Sequence, residues 1–178
     1  GLDSNLTINP IENLNFRIGA AWVHARYKSF ANATGTGLNA TTNTNVGGQT
    51  QNWSNTQMPR APTFSGNVGV DYDIVGSFGD ILLATSVNWT SSYVVASGAI
   101  YGPLAGILAA KQRYRQGSYA LVNANVTWTD PSGRYSVSAF VRNLTNRTYW
   151  MNYQGNANGD YGSYGPPRVF GGRAKVNF

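Results

Sequence analysis

The stretch Arg168–Phe178, RVFGGRAKVNF, decides how the rest of the chain is interpreted. Read with a period of two, it separates into an apolar and a polar side, as a half-buried strand does. One side carries Phe170, Gly172, Ala174, Val176 and Phe178, and the other carries Arg173, Lys175 and Asn177. The stretch ends on an aromatic residue with no polar tail. A strand that closes a membrane barrel can end in this way, because its aromatic end lies at the membrane interface.

The composition is unusual for a soluble domain. Charged residues make up 11 % of the 178 residues, against roughly a quarter in ordinary soluble domains. No run of about twenty apolar residues occurs, so no transmembrane helix is expected. The mean hydropathy of −0.29 is compatible with membrane strands, because lipid-facing and lumen-facing residues alternate and average out. The absence of Cys excludes disulfides and thiolate metal sites.

The net charge of +6 does not indicate nucleic-acid binding. The 13 Lys and Arg residues are scattered along the chain, and neither a basic run nor a basic helical stripe is present. Distributed basic side chains on a polar surface are the simpler interpretation.

Period-two alternation recurs in several further segments and predicts about seven antiparallel strands. The clearest is Thr63–Val75, in which one face carries apolar residues and the other carries Ser, Asn, Gly and Asp. The predicted strands are residues 1–9, 14–30, 63–75, 81–95, 118–128, 134–143 and 168–178.

The connections between these strands differ in length in a regular way. Short turns at residues 9–13, 76–80 and 129–133 alternate with long connections at 31–58, 96–116 and 144–167. Residues 31–58 have almost nothing to bury and are predicted to be a mobile loop. Alternate connections of a meander lie at the same end, so all the long connections share one end. Outer-membrane barrels have this arrangement, whereas a β-sandwich or propeller has no reason to sort its loops by length. The predicted fold class is an all-β, antiparallel transmembrane β-barrel meander.

Aromatic residues near the strand ends are candidates for a membrane girdle. Trp22, Trp89 and Tyr93 would lie at the long-loop end, and Trp128 and Tyr135 at the short-turn end. Counting strands places Phe178 at the short-turn end as well. Because bacterial barrels have an even number of strands, we expect Gly1 to be a cut and earlier strands to precede it.

Two C-terminal segments carry a family resemblance. VSAFVRNLTNRTYW (Val137–Trp150), followed by YGPPRVFGGRAKVNF (Tyr164–Phe178), resembles the C-terminal end of TonB-dependent outer-membrane receptors. Asn146 stands where Asp is commoner in that family. Met58–Asp73 resembles the family's Pro-x-x-Pro entry into a strand, and residues 1–16 are similar to its Gly-(Val/Leu)-Glu/Asp strand and turn. The matching C-terminal positions are Asn143, Leu144, Asn146, Arg147, Tyr149, Pro167, Arg168 and Phe178.

The resemblance implies a larger protein in the outer membrane of a Gram-negative bacterium. The family's barrel has about 22 strands around a plug, so residues 1–178 would be the C-terminal segment, roughly the last third, without the plug and earlier strands. The implied partners are outer-membrane lipid, the missing plug and strands, the TonB complex, the assembly machinery of the outer membrane and a small chelate ligand. The implied function is the wall of a transporter for ferric siderophore or a similar iron chelate, not an enzyme and not a nucleic-acid binder.

Other ligands and other protein classes remain open at this point. A glycan, haem or cobalamin receptor is the alternative within the family, and an outer-membrane autotransporter or adhesin barrel is the alternative outside it. A soluble β-sandwich binding module is a weaker one. An isolated seven-stranded sheet would have two unpaired edges, so aggregation is expected if the segment is produced alone.

No catalytic set, cofactor site or metal site is expected from the residues. His24 is the only His and is interpreted as a surface residue. Asp71 and Asp73 are expected to pair with a nearby Arg, either Arg17 or Arg142. Asp160, in the loop sequence NGDYG, is the one acid whose position is compatible with Ca²⁺ binding, and this is the less favoured interpretation.

The candidate ligand-binding residues are aromatic and cationic side chains of the long loops, since flat rings stack on aryl or sugar groups and Arg pairs with anionic chelates. They are Tyr101, Arg113, Tyr114, Trp150, Tyr153, Tyr161 and Tyr164, with packing between loops as the alternative role. The cations expected in the lumen, Arg17, Arg142, Arg173 and Lys175, would bond to the plug or guide an acidic ligand. By resemblance, Phe170, Val176 and Phe178 belong to the C-terminal signal read by the assembly machinery.

Overall fold

A computed structural model describes residues 1–39, 41–42, 44–95, 107–108, 115–156 and 158–178. These residues form strands, turns and irregular segments. None of them belongs to a helix long and apolar enough to cross a membrane. The prediction of an all-β chain is confirmed.

Fourteen strands lie within the described residues. They are β1 (Leu2–Ile11), β2 (Leu14–Trp22), β3 (Ala33–Asn39), β4 (Asn45–Gln51), β5 (Phe64–Gly76), β6 (Gly79–Thr90), β7 (Tyr93–Val94), β8 (Ile107–Leu108), β9 (Arg115–Gln116), β10 (Tyr119–Thr129), β11 (Tyr135–Arg142), β12 (Trp150–Asn156), β13 (Gly159–Tyr164) and β14 (Val169–Val176).

Seven of these strands, called the wall strands below, form one antiparallel sheet in the order β1-β2-β5-β6-β10-β11-β14. Each wall strand pairs with the next one along the chain, as a meander requires. The sheet is open, with β1 and β14 at its two edges within the described residues. Short turns join β1 to β2, β5 to β6 and β10 to β11. The long connections are called the first (23–63), second (91–118) and third (143–168), and their described residues lie at the opposite end.

Two expectations about the first connection were wrong. The strand predicted to run to Phe30 ends at Trp22, because the chain there turns to pair with the returning segment through Val23 N–H to Thr63 O, 2.9 Å. Residues 31–58 do not form a structureless loop, since β3 and β4 make a hairpin. A Gly- and Thr-rich hairpin is held mainly by its backbone bonds and shows little apolar alternation, so the sequence pattern concealed it.

The most buried apolar residues lie at the long-connection end rather than in the wall. Ala33, Trp53, Val94 and Val95 are the buried hydrophobic residues of the described part of the chain. Trp53 packs edge-on against Phe30 at a ring separation of 5.6 Å. A single-layer sheet exposes both its faces, so the wall strands form no core of their own.

The short turns are specified by local chemistry. Gly79, at the β5–β6 turn, has a φ of +109°, which only glycine adopts easily. A Cβ there would lie 2.2 Å from the carbonyl oxygen of Thr129 in β10. In the β10–β11 turn, the Asp130 carboxylate accepts hydrogen bonds from Ser132 and from the Tyr135 N–H. These bonds, that of the Ser132 side chain above all, lower the pKa of Asp130 below its ordinary value.

Candidate functional site at the loop end of the sheet

The wall sheet has one continuous apolar face. The strand pairings align mostly apolar residues in rows across all seven strands, for example in the row Ile8, Phe16, Val70, Thr85, Ala124, Val141 and Phe170. Many of these side chains are exposed although they are large and apolar, including Leu6, Ile18, Phe64, Val68, Leu83, Val126, Val137 and Phe170. An exposed apolar surface of this extent marks contact with a membrane or a partner. We call it the outer face.

The other face, called the inner face, is polar. Its rows contain Asn, Ser, Thr and charged residues, such as Asn67 opposite Asn88 and Thr127 opposite Ser138. A cavity of about 440 Å³ lies on this face and is bordered by Arg17, Asp71, Arg142 and Arg173, among others.

The expected pairing with arginine is found for Asp71 but not for Asp73, which has no ion pair within the described residues. Arg17 forms an ion pair with Asp71 across β2 and β5. Arg142 instead lies over the Phe140 ring, 5.5 Å from its centre. Arg173 is opposite Ser138 and Lys175 is opposite Ser136, so these four cations lie on the inner face as expected.

The girdle candidates are placed as follows. Trp22 and Trp89 lie on the outer face at the long-connection end, and Trp128 and Tyr135 lie on it at the short-turn end. Trp128 Nε1 donates to the Phe78 carbonyl at 3.0 Å. Tyr93 differs, because it belongs to β7 rather than to a wall strand and borders a cavity together with Tyr119. The Tyr119 position in β10 alternates with Ala120 and therefore belongs to the inner face.

The C-terminal strand lies where strand counting predicts. Phe170 and Val176 are on the outer face, and Phe178 is fully exposed. The Asn177 N–H donates to the Arg134 carbonyl at 2.9 Å, and Asn177 Nδ2 donates to the Gly133 carbonyl at 2.9 Å. These bonds tie the end of the chain to the β10–β11 turn, at the short-turn end.

The aromatic candidates of the third connection lie together on the β12–β13 hairpin. Trp150 stacks on Tyr164 with ring centres 4.0 Å apart and meets Tyr153 edge-on at 4.8 Å. Tyr161 donates its hydroxyl to Gln154 at 2.9 Å. Tyr161 and Tyr164 are exposed, whereas Trp150 is half-buried by the hairpin itself. Tyr101, Arg113 and Tyr114 fall outside the described residues.

A buried asparagine at the base of the third connection acts as a structural clip. Asn143 is 5 % exposed. Its Nδ2 donates to the carbonyls of Arg147 (2.9 Å) and Pro166 (3.0 Å), and its Oδ1 accepts from the Arg147 N–H at 2.8 Å. Asn146 Oδ1 accepts from the Arg168 N–H at 3.0 Å. Both asparagines have a positive φ, which Asn tolerates better than most residues. The two ends of the connection are thereby fixed together, a role that the motif alone did not reveal.

Polar bonds also join the first and third connections. Arg60 Nη2 donates to Asn152 Oδ1 at 2.9 Å, and Asn45 Nδ2 donates to Asp160 Oδ1 at 2.9 Å. Asp160 also accepts from the Tyr153 hydroxyl at 3.0 Å. The β12–β13 hairpin therefore rests on the β3–β4 hairpin, and this contact was not anticipated from the sequence.

Metal-ligand clusters are not found in the part of the chain that the structure describes. His24 lies beside Trp22, with ring centres 6.1 Å apart.

Comparison with known proteins gives the family. The sequence model of the family described as "TonB dependent receptor-like, beta-barrel" matches residues 1–144. No curated protein sequence matches the chain.

Three solved structures share the fold. They are the ferric yersiniabactin uptake receptor FyuA from Yersinia pestis (TM-score 0.69, 15 % identity, 99 % of this chain and 23 % of that chain), the siderophore receptor PiuA from Acinetobacter baumannii (0.61, 12 %, 97 % and 20 %) and FpvAI in its complex with pyocin S2 (0.59, 14 %, 99 % and 18 %). The chain spans 18–23 % of the length of these structures.

The sequence match covers most of the wall, and the structural likeness extends over the remainder. The match separates the chain from the autotransporter and β-sandwich alternatives. With its open meander, its apolar outer face and its long connections gathered at one end, the chain belongs to the TonB-dependent receptor-like β-barrel family.

Proposed function

We propose that the chain forms part of the wall of a TonB-dependent outer-membrane transporter that takes up ferric siderophore or a similar iron chelate. The observation that carries this proposal is the wall sheet, which has an apolar face on one side, a polar face on the other and all three long connections at one end. The family consists of receptors and transporters rather than enzymes, and its members lie in the outer membrane of Gram-negative bacteria.

The iron-chelate part of the proposal is supported by the structural neighbours. Two of the three are described as a ferric yersiniabactin uptake receptor and a siderophore receptor. At identities of 15 % and 12 % the structural likeness shows the fold alone, so the ligand of this chain is inferred. The exposed rings of Tyr161 and Tyr164 support a ligand with flat groups.

The remaining partners follow from the same proposal. The outer face contacts lipid, with Trp22, Trp89, Trp128 and Tyr135 at its margins, and the open edges of β1 and β14 pair with further strands of a larger barrel. The inner-face cations Arg142, Arg173 and Lys175 bond to a plug domain, because plug contacts satisfy polar groups along the whole lumen. TonB supplies energy through that plug, and Phe170, Val176 and Phe178 serve recognition by the assembly machinery.

The test is iron uptake by whole cells. A strain lacking the complete gene and the same strain carrying it on a plasmid are given ⁵⁵Fe-labelled catecholate and hydroxamate chelates under iron limitation. We expect uptake of at least one chelate to require the gene and to disappear when TonB is inactivated. If iron uptake were the same with and without the gene, while uptake of a glycan, haem or cobalamin required it, the chain would belong to a receptor for that other ligand.

A further inference from the structure

A second cavity, of about 320 Å³, lies at the long-connection end of the inner face. The first connection contributes Arg60, the second contributes Tyr93 and Val95, the third contributes Met151, and wall strand β10 contributes Tyr119. Its volume is at the lower limit of small-molecule sites, which suits one ring system rather than a whole chelate. None of these residues was singled out as a ligand-binding candidate from the sequence.

Arg60 places a fixed cation at this cavity. Its backbone has a φ of +57°, and its N–H donates to the Val94 carbonyl at 2.7 Å. The guanidinium donates to two neutral acceptors, the Val95 carbonyl at 3.4 Å and Asn152 Oδ1 at 2.9 Å. Within the described residues the only ion pair is Arg17–Asp71, so the charge of Arg60 is not balanced by a carboxylate of that part of the chain.

Tyr119 supplies a fixed aromatic wall. Its ring stacks on Tyr149, with ring centres 4.9 Å apart and an angle of 17° between the planes. Tyr93 borders the same cavity and supplies a second phenol. A phenol pair and a guanidinium at one cavity offer flat faces together with hydrogen-bond donors and a positive charge, a combination suited to an aryl ring with a negatively charged substituent.

The topology also concentrates positive charge at this end. The basic residues look scattered along the sequence, but the described residues of the three long connections contain six Lys or Arg and a single acid, Asp160, a net charge of +5. The wall strands and short turns contain five basic and six acidic residues, a net charge of −1. The positive charge of the described residues therefore lies at the long-connection end, and such a field accelerates the capture of anions.

We propose that this cavity, the Arg60–Tyr119 pocket, binds a planar aromatic ring that carries an anionic oxygen, such as one catecholate arm of an iron chelate. The inference rests on the proposed function for the identity of the complete ligand. Binding of an isolated aromatic ring of this kind tests the pocket independently of the complete ligand.

The experiment measures binding to the full-length receptor in detergent micelles by isothermal titration calorimetry. The probes are 2,3-dihydroxybenzoate and its iron(III) complex, with a neutral iron(III) trihydroxamate as the comparison ligand. We expect Arg60→Gln to weaken binding of both anionic probes about tenfold or more, since a charge-assisted hydrogen bond is lost. Arg60→Lys should retain more affinity than Arg60→Gln, and Tyr119→Phe should weaken binding by a smaller factor. Binding of the trihydroxamate should not respond to Arg60→Gln.

The matched control is Arg26→Gln, which removes another cation of the first connection. Arg26 donates to the Asn55 carbonyl at 2.8 Å and does not border the cavity. The proposed pocket would be refuted if Arg60→Gln and Arg26→Gln bound the anionic probes with equal affinity. It would also be refuted if the wild-type receptor bound neither anionic probe. Arg60-dependent binding in a receptor that imports no iron would instead sustain the pocket and refute the proposed function.

Discussion

At the scale of single residues, the side chain of Asn143 holds the two ends of the third connection together. Its amide satisfies two carbonyls and one N–H that come from both ends of the third connection. We expect Asn143→Ala to lower the free energy of unfolding of the receptor by about 2–3 kcal/mol, because these buried groups lose their partner. Urea unfolding in micelles, followed by tryptophan fluorescence, measures the change.

The control for this substitution is Asn32→Ala in the first connection, away from the inner face. Asn32 is exposed, and its substitution should change the free energy of unfolding by less than about 0.5 kcal/mol. If Asn143→Ala were as mild as Asn32→Ala, Asn143 would not act as a clip. The sequence identified Asn143 through a family motif, but a motif does not state which atoms bond, so its role required the structure.

At the scale of elements, Gly79 follows the short turn between β5 and β6 and lies against Thr129 of the neighbouring strand β10. Its positive φ and the approach of Thr129 O leave no room for a Cβ. We expect Gly79→Ala to destabilise the receptor by at least about 2 kcal/mol, measured by the same unfolding experiment. Gly117→Ala is the matched control, because a Cβ at Gly117 meets nothing within 4 Å. Equal stability of the two variants would contradict this description of the turn.

The wall strands were predictable and the hairpins of the long connections were not. A wall strand such as β5 must present one face to an apolar environment. Apolar residues therefore recur at every second position of its sequence. The β3–β4 hairpin has no such requirement, since its order comes from backbone pairing and from a small cluster around Trp53. The Arg60–Tyr119 pocket could not be predicted from the sequence either, because its residues come from four separate segments that only the folded meander brings together.

At the scale of the whole molecule, the sheet separates two environments and two regions of charge. The outer face collects the large apolar residues, the inner face collects the amides, hydroxyls and most charges of the wall, and the long connections collect the positive charge. Alternation explains why the mean hydropathy of −0.29 conceals a membrane-contacting surface. This division, rather than any single residue, is the central claim about the protein.

The most direct measurement of that claim is spin-label accessibility along β6. The chain has no Cys, so single-cysteine variants of residues 82–88 report on this strand once any cysteine elsewhere in the full-length receptor is removed, and oxygen collision rates are recorded in lipid bilayers. The account predicts high oxygen accessibility for Leu83, Thr85 and Val87, which are on the outer face, and low accessibility for Leu82, Ala84, Ser86 and Asn88. An accessibility profile without a period of two, or one with the opposite phase, would contradict it.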